Sequence, residues 1–103
     1  MDFDYFKDHI QDELCGAMEY VKAALEIRAA NPEWSDKFQN MCSQELVHAK
    51  NFYDMFQEYY DTAVRPYTEI PKYFREQKTE IIDLYSEGYG KVKWLQEMLV
   101  NKR

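Results

Sequence analysis

Prolines mark where this chain can begin and end its helices. Pro32 follows Asn31, and Pro66 and Pro71 bracket the segment Val64-Arg65-Pro66-Tyr67-Thr68-Glu69-Ile70-Pro71; no other proline occurs. A proline lacks the backbone N–H that a helix interior uses, so it is tolerated in the first helical turn and disrupts later ones. Between these marks lie three long stretches in which apolar residues recur at three- and four-residue intervals, the spacing of one helix face. The expected fold is therefore all-α: helices from Asp2 to about Ala29, from about Pro32 to about Ala63 and from about Lys72 to about Asn101. The connection at Asn31-Pro32 is short, with Asn a good N-cap and Glu33 placed to meet the helix dipole. It makes the first two helices a long antiparallel hairpin, to which the third is added.

The second stretch carries an irregularity in its apolar stripe. At helical spacing the line runs Trp34, Phe38, Met41, Glu45, His48, Phe52, Met55, Tyr59. A carboxylate and an imidazole thus occupy positions where a core helix presents apolar side chains. Burying such a pair is costly unless a metal, a partner charge or hydrogen bonds compensate. Residues three apart share a helix face and lie about 5–6 Å apart, within reach of one metal ion. A Glu-x-x-His pair alone is common, and its plain alternative is a half-buried pair that only steadies the helix.

The first stretch adds a carboxylate. Its stripe is Phe6, Ile10, Ala17, Tyr20, Val21 and Ala24, and Glu13 falls on that line between Ile10 and Ala17. In an antiparallel hairpin turning near Asn31, Glu13 and His48 differ in level by about 3 Å and Glu45 by about 7 Å. On the third helix, with its stripe of Phe74, Ile81, Leu84, Tyr85, Val92, Leu95 and Leu99, the same reasoning places Glu87 level with His48, the plain alternative being an ordinary exposed glutamate. His9 reads as a surface or edge histidine. The aromatics Phe52, Tyr53, Phe56, Tyr59 and Tyr60 fall on more than one face of the second helix and call for two packing partners.

Composition narrows the function classes. The chain has 103 residues, 13 Lys and Arg against 19 Asp and Glu, and a formal charge of −6. It is sized for one domain, residues 1–103, and its scattered basic residues leave no footprint for nucleic acid or an anionic membrane surface. No stretch approaches the length of a membrane span, and the start, Met1-Asp2-Phe3-Asp4-Tyr5-Phe6, has neither a basic flank nor an apolar run. Cys15 and Cys42 fit no CxxC pattern and are expected to be small buried thiols in a reducing, cytoplasmic setting.

Glu13 with Tyr20 seven residues on, followed by Glu45-x-x-His48-Ala49-Lys50-x-Phe52-Tyr53, resembles the first half of a ferritin-like, rubrerythrin-type di-iron carboxylate bundle. The likeness covers roughly residues 5 to 60. In that superfamily two metals are held by a Glu from each of two helices and a Glu-x-x-His from each of two others. Carried over, the resemblance implies Glu13 as a terminal carboxylate, Glu45 as a bridging carboxylate, His48 as the imidazole ligand, Tyr20 as an aromatic beside the site and Glu87 as the third-helix carboxylate. It implies iron, with manganese or zinc as alternatives. His9 and His48 are the only histidines, so a second Glu-x-x-His has to come from a second copy of the chain. The expected assembly is a homodimer or larger homo-oligomer, as in the half-bundle encapsulated-ferritin type, with the third helix either outside the central bundle or bridging protomers. The implied activity is iron oxidation or storage, or oxygen or peroxide handling, with a ferroxidase-type oxidoreductase favoured over a peroxidase because no Cys-rich rubredoxin segment is present. The alternative is a non-catalytic ferritin-like scaffold or interaction protein with a remnant site or none.

Overall fold

The computed structural model describes residues 1–101, and these form three helices: α1 (Phe3–Ile27), α2 (Pro32–Val64) and α3 (Lys72–Asn101). Each boundary has a local cause. The Asp2 side chain accepts a hydrogen bond from the Tyr5 N–H at 2.9 Å, capping α1. Asn31 does the same for α2, accepting from the Trp34 N–H at 3.1 Å, with Pro32 in the first turn. Pro71 lies just before α3, and its carbonyl accepts from the N–H of Phe74 at 3.1 Å. The turn between α1 and α2 closes tightly, the Asn31 N–H reaching the Ile27 carbonyl at 2.8 Å.

The three helices pack side by side into a rod of 58 × 21 × 15 Å. α1 and α2 form the expected antiparallel hairpin, and α3 runs parallel to α1. Phe74 packs on Phe3 (centroids 5.7 Å apart), Lys7 pairs with Glu80 at 3.0 Å, and Gly88 faces Leu14. α3 also touches α2, where Tyr85 stacks on Tyr53 at 4.2 Å and Gln96 donates to Cys42 Sγ at 3.5 Å and Ser43 Oγ at 3.3 Å. It therefore covers one side of the hairpin and leaves the other uncovered. The aromatic end of α2 has the two neighbours its composition demanded. Phe56 lies against Phe3 and Phe6 of α1, while Tyr53 stacks on α3.

The buried line of α2 differs from the expected one. It consists of Ser35, Cys42, Leu46, Ala49, Phe56 and Tyr60, whereas Trp34, Met41 and Met55 are exposed and Phe38, Phe52 and Tyr59 half-buried. The small side chains of Ser35, Cys42 and Ala49 let α2 sit close on α1, and the Ser35 hydroxyl donates to the Ala24 carbonyl at 2.8 Å in that contact. The bulkier line is turned outward. Cys42 is buried as expected and burial pushes its thiol pKa up, but Cys15 is exposed, since its neighbour Leu14 takes the inward position. Among the described residues no helix is long and apolar enough to cross a membrane.

Candidate metal centre

Glu13 comes from the middle of α1, Glu45 and His48 from the middle of α2, and all three look into the groove on the side of the hairpin that α3 does not cover. One ligand atom from each lies within 4.8 Å of the others, and among the described residues no other set of His, Cys, Asp and Glu gathers this closely. His48 Nδ1 is 3.5 Å from Glu13 Oε2. Glu13 and Glu45 are half-buried, and the His48 side chain is 53% exposed. The group is therefore a shallow, open one, polar on the floor of an otherwise aromatic groove.

Its electrostatics are governed by the two neighbouring acids. The Glu45 carboxyl hydrogen-bonds with that of Glu13, which, with partial burial and the charge of Glu13, pushes its pKa from 4.5 up to about 6; His48 pulls the other way. Two acids at this separation resist ionising together, so Glu45 takes up a proton as the pH falls through about 6, earlier than an ordinary glutamate would, and a bound cation would relieve the repulsion above that pH. Two carboxylate oxygens and one imidazole nitrogen suit iron, manganese or zinc. The donor set fits such a metal chemically, and it supplies three protein ligands from one chain.

Gly16 makes room for this arrangement. It stands one turn beyond Glu13, and a Cβ there would lie 3.3 Å from Glu45 Oε2 and 3.5 Å from its carboxyl carbon. Stripe spacing alone does not single it out, but a glycine inside a helix of otherwise good formers is itself a signal of close approach.

The other expected site residues fall elsewhere. The structure does not bring Glu87 to the group. It is exposed on α3, in a groove with Leu14, Cys15, Met18 and Lys91. Its level along the bundle agrees with expectation, since its neighbour Gly88 faces Leu14, but α3 lies on the other side of the hairpin from the carboxylates. Tyr20 is half-buried and stacks on Phe38 with centroids 6.4 Å apart. It lies two turns, about 10 Å, along α1 from Glu13. His9 is half-buried at the edge of the groove, stacked on Phe52 at 4.7 Å and against Tyr5 at 4.3 Å, and is not part of the cluster.

The sequence profile of the Rubrerythrin family matches residues 4–101, which takes in all three helices. The chain belongs to the rubrerythrin family. Its fold is accordingly ferritin-like, and the match extends through α3, well past the motif-bearing hairpin. No individual curated protein and no solved structure matches the chain. Within the rubrerythrin frame, the Glu-Glu-His group stands where two of the three helices meet, and the third helix contributes no ligand atom to it.

Proposed function

We propose that this protein is a ferritin-like metal-binding protein whose Glu13, Glu45 and His48 form half of a di-iron centre, the other half being supplied by a second copy of the chain. The single observation carrying this reading is the convergence of those three ligand atoms within 4.8 Å at the middle of an uncovered face. A carboxylate–imidazole set from one chain offers three ligands, too few for two metals. Two copies supply the two lone Glu and two Glu-x-x-His of a complete site. The uncovered groove is where that second copy fits, and α3 stays outside the resulting four-helix core.

When bound, iron would supply redox exchange with oxygen or peroxide, and the protein's part is to hold it. Glu45 and Glu13 would hold it as carboxylates from facing helices, their mutual repulsion relieved by its charge, and the open imidazole of His48 would complete the set from each protomer. The activity this supports is ferroxidase-type iron oxidation, or iron storage, in a reducing cytosol where Cys15 and Cys42 stay thiols.

The test is metal content against assembly state. Protein purified from iron-supplemented growth, or titrated anaerobically with Fe(II), is expected to bind about one metal per chain and to elute as a dimer that chelation weakens. Substoichiometric binding of Fe, Mn and Zn alike by a well-folded protein would overturn the reading and leave a ferritin-like scaffold.

A further inference from the structure

The outward line of α2 has a symmetry that identifies how a second copy sits. Trp34, Phe38, Met41, Glu45, His48, Phe52, Met55 and Tyr59 are spaced alternately four and three residues apart throughout, a strict heptad seam. The two interleaved sets differ in burial. Phe38, Glu45, Phe52 and Tyr59 are half-buried along the groove with α1, whereas Trp34, Met41, His48 and Met55 point outward, the three apolar ones 55%, 38% and 45% exposed. Nothing within the protomer covers that outward set.

We infer that this seam pairs with the same seam of a second copy, antiparallel, about a two-fold axis passing beside Leu46 and Val47. In that register each outward residue meets a half-buried one: Trp34 faces the partner's Tyr59, Phe38 the partner's Met55, Met41 the partner's Phe52, and Glu45 the partner's His48. Every member of the line is matched, because the alternation of four- and three-residue intervals reads the same in both directions about its centre. The chemistry matches as well. Two kinds of layer set a methionine sulfur against a phenyl ring, one sets indole against phenol, and the central layer sets a carboxylate against an imidazole. A parallel pairing would instead oppose Glu45 to the partner's Glu45, two acids in one layer. Sliding by one heptad would set His48 against a phenyl ring and Glu45 against a methionine, and would leave the two residues at one end of the line unmatched. The register names the partner of the proposed metal centre and rests on that reading only for its central layer, since the six apolar positions define the same axis by themselves.

Single nitroxide labels at exposed positions off the seam measure the register directly. Asn40→Cys and Glu58→Cys, each in a Cys15→Ser background, are labelled and studied by pulsed dipolar spectroscopy with and without Zn(II), which is diamagnetic. At 1.5 Å rise per residue, the expected axial separations between copies are about 20 Å for position 40 and about 35 Å for position 58. A one-heptad slide moves one distance up and the other down by about 10 Å, and a parallel pairing makes both short and alike; either result overturns the inference. Absence of dipolar coupling in both samples, with native helicity, overturns it too. The expected distances without Zn(II) binding would uphold the register and sink the metal-centre reading, and stoichiometric Zn(II) with a different register would do the reverse. Met41→Glu, a change at an exposed position, is expected to give a folded monomer on gel filtration.

Discussion

Nδ1 of His48 stands 3.5 Å from Oε2 of Glu13, bridging two helices through side chains that are 53% and 23% exposed. That contact spans the hairpin at its middle and is open to solvent, so as an ion pair it contributes little to stability. Its weight is chemical: it presents a nitrogen and an oxygen at one point, with the Glu45 carboxyl beside them.

Replacing His48 with Ala should therefore separate binding from folding. The exposed imidazole supports little packing, and the melting curve of the metal-free protein is expected to change by no more than about 0.5 kcal/mol, the range of ordinary surface substitutions. Affinity for Co(II), followed by its visible absorbance, should fall at least about tenfold, the lower bound of what loss of even a supporting group does at a metal site. A large loss of stability with unchanged Co(II) binding would mean that His48 is structural.

The Glu13–Glu45 pair predicts an inverted pH dependence in the metal-free protein. The folded pKa of Glu45 is raised from 4.5 to about 6, so the fold holds this proton more tightly than the unfolded chain does. Its stabilising contribution is complete below about pH 4.5 and is lost as pH rises through about 6. Glu45→Gln keeps the hydrogen-bonding capacity and removes the charge. Its melting temperature should match that of the parent at pH 4.5 and exceed it at pH 7 by the equivalent of on the order of 1 kcal/mol, after allowing for solvent screening. Saturating metal at pH 7 should reverse the order in the parent's favour, because the cation then offsets the repulsion between the two carboxylates and Gln cannot supply that charge.

How far these features can be read from the residues depends on what fixes them. Levels along the bundle follow from rise per residue and a short turn, and both are spelled out at Asn31-Pro32; Glu13 and His48 meet accordingly, and Gly88 reaches Leu14. The side of each helix is set by how three helices share a core, and α2 offers two adjacent apolar lines for that purpose. Ser35, Cys42 and Ala49 look like weak core candidates beside Trp34, Met41 and Met55, yet the small residues go inside because they allow close approach. The same ambiguity put Glu87 at the right height and on the other side of the hairpin. The bulky line, which by apolar spacing alone has the pattern of a core face, is the uncovered seam, and the ionisable pair at its centre is accessible for that reason.

Gly16 tests whether Glu45 needs the space beside α1. Glycine inside a helix costs about 1 kcal/mol against Ala, so Gly16→Ala should raise the melting temperature if helix propensity were all that mattered. The new Cβ would lie 3.3 Å from Glu45 Oε2, tight enough to push the carboxylate by a few tenths of an ångström. The expected outcome is equal or greater stability with Co(II) affinity reduced several-fold. Unchanged affinity would show that the carboxylate has room to spare.

The two glycines of α3 should respond to the same substitution with opposite signs. A Cβ at Gly90 meets nothing within 4 Å, so Gly90→Ala is expected to stabilise by about 1 kcal/mol through helix propensity alone. A Cβ at Gly88 would stand 2.7 Å from Leu14 Cδ1 and 3.4 Å from its Cγ, and Leu14 is only 5% exposed, with little room to turn away. Relieving that overlap requires α3 to lift from α1 or Leu14 to leave its rotamer, at a cost typical of overpacking, about 1–3 kcal/mol. Gly88→Ala should therefore lose stability by about 1 kcal/mol net of the propensity gain, measured by denaturant unfolding. Because this contact lies on the side of the hairpin away from the carboxylates, Co(II) affinity per folded chain should stay at the parent's value. A matching fall in affinity would show instead that α3 and the metal groove are mechanically coupled through α1.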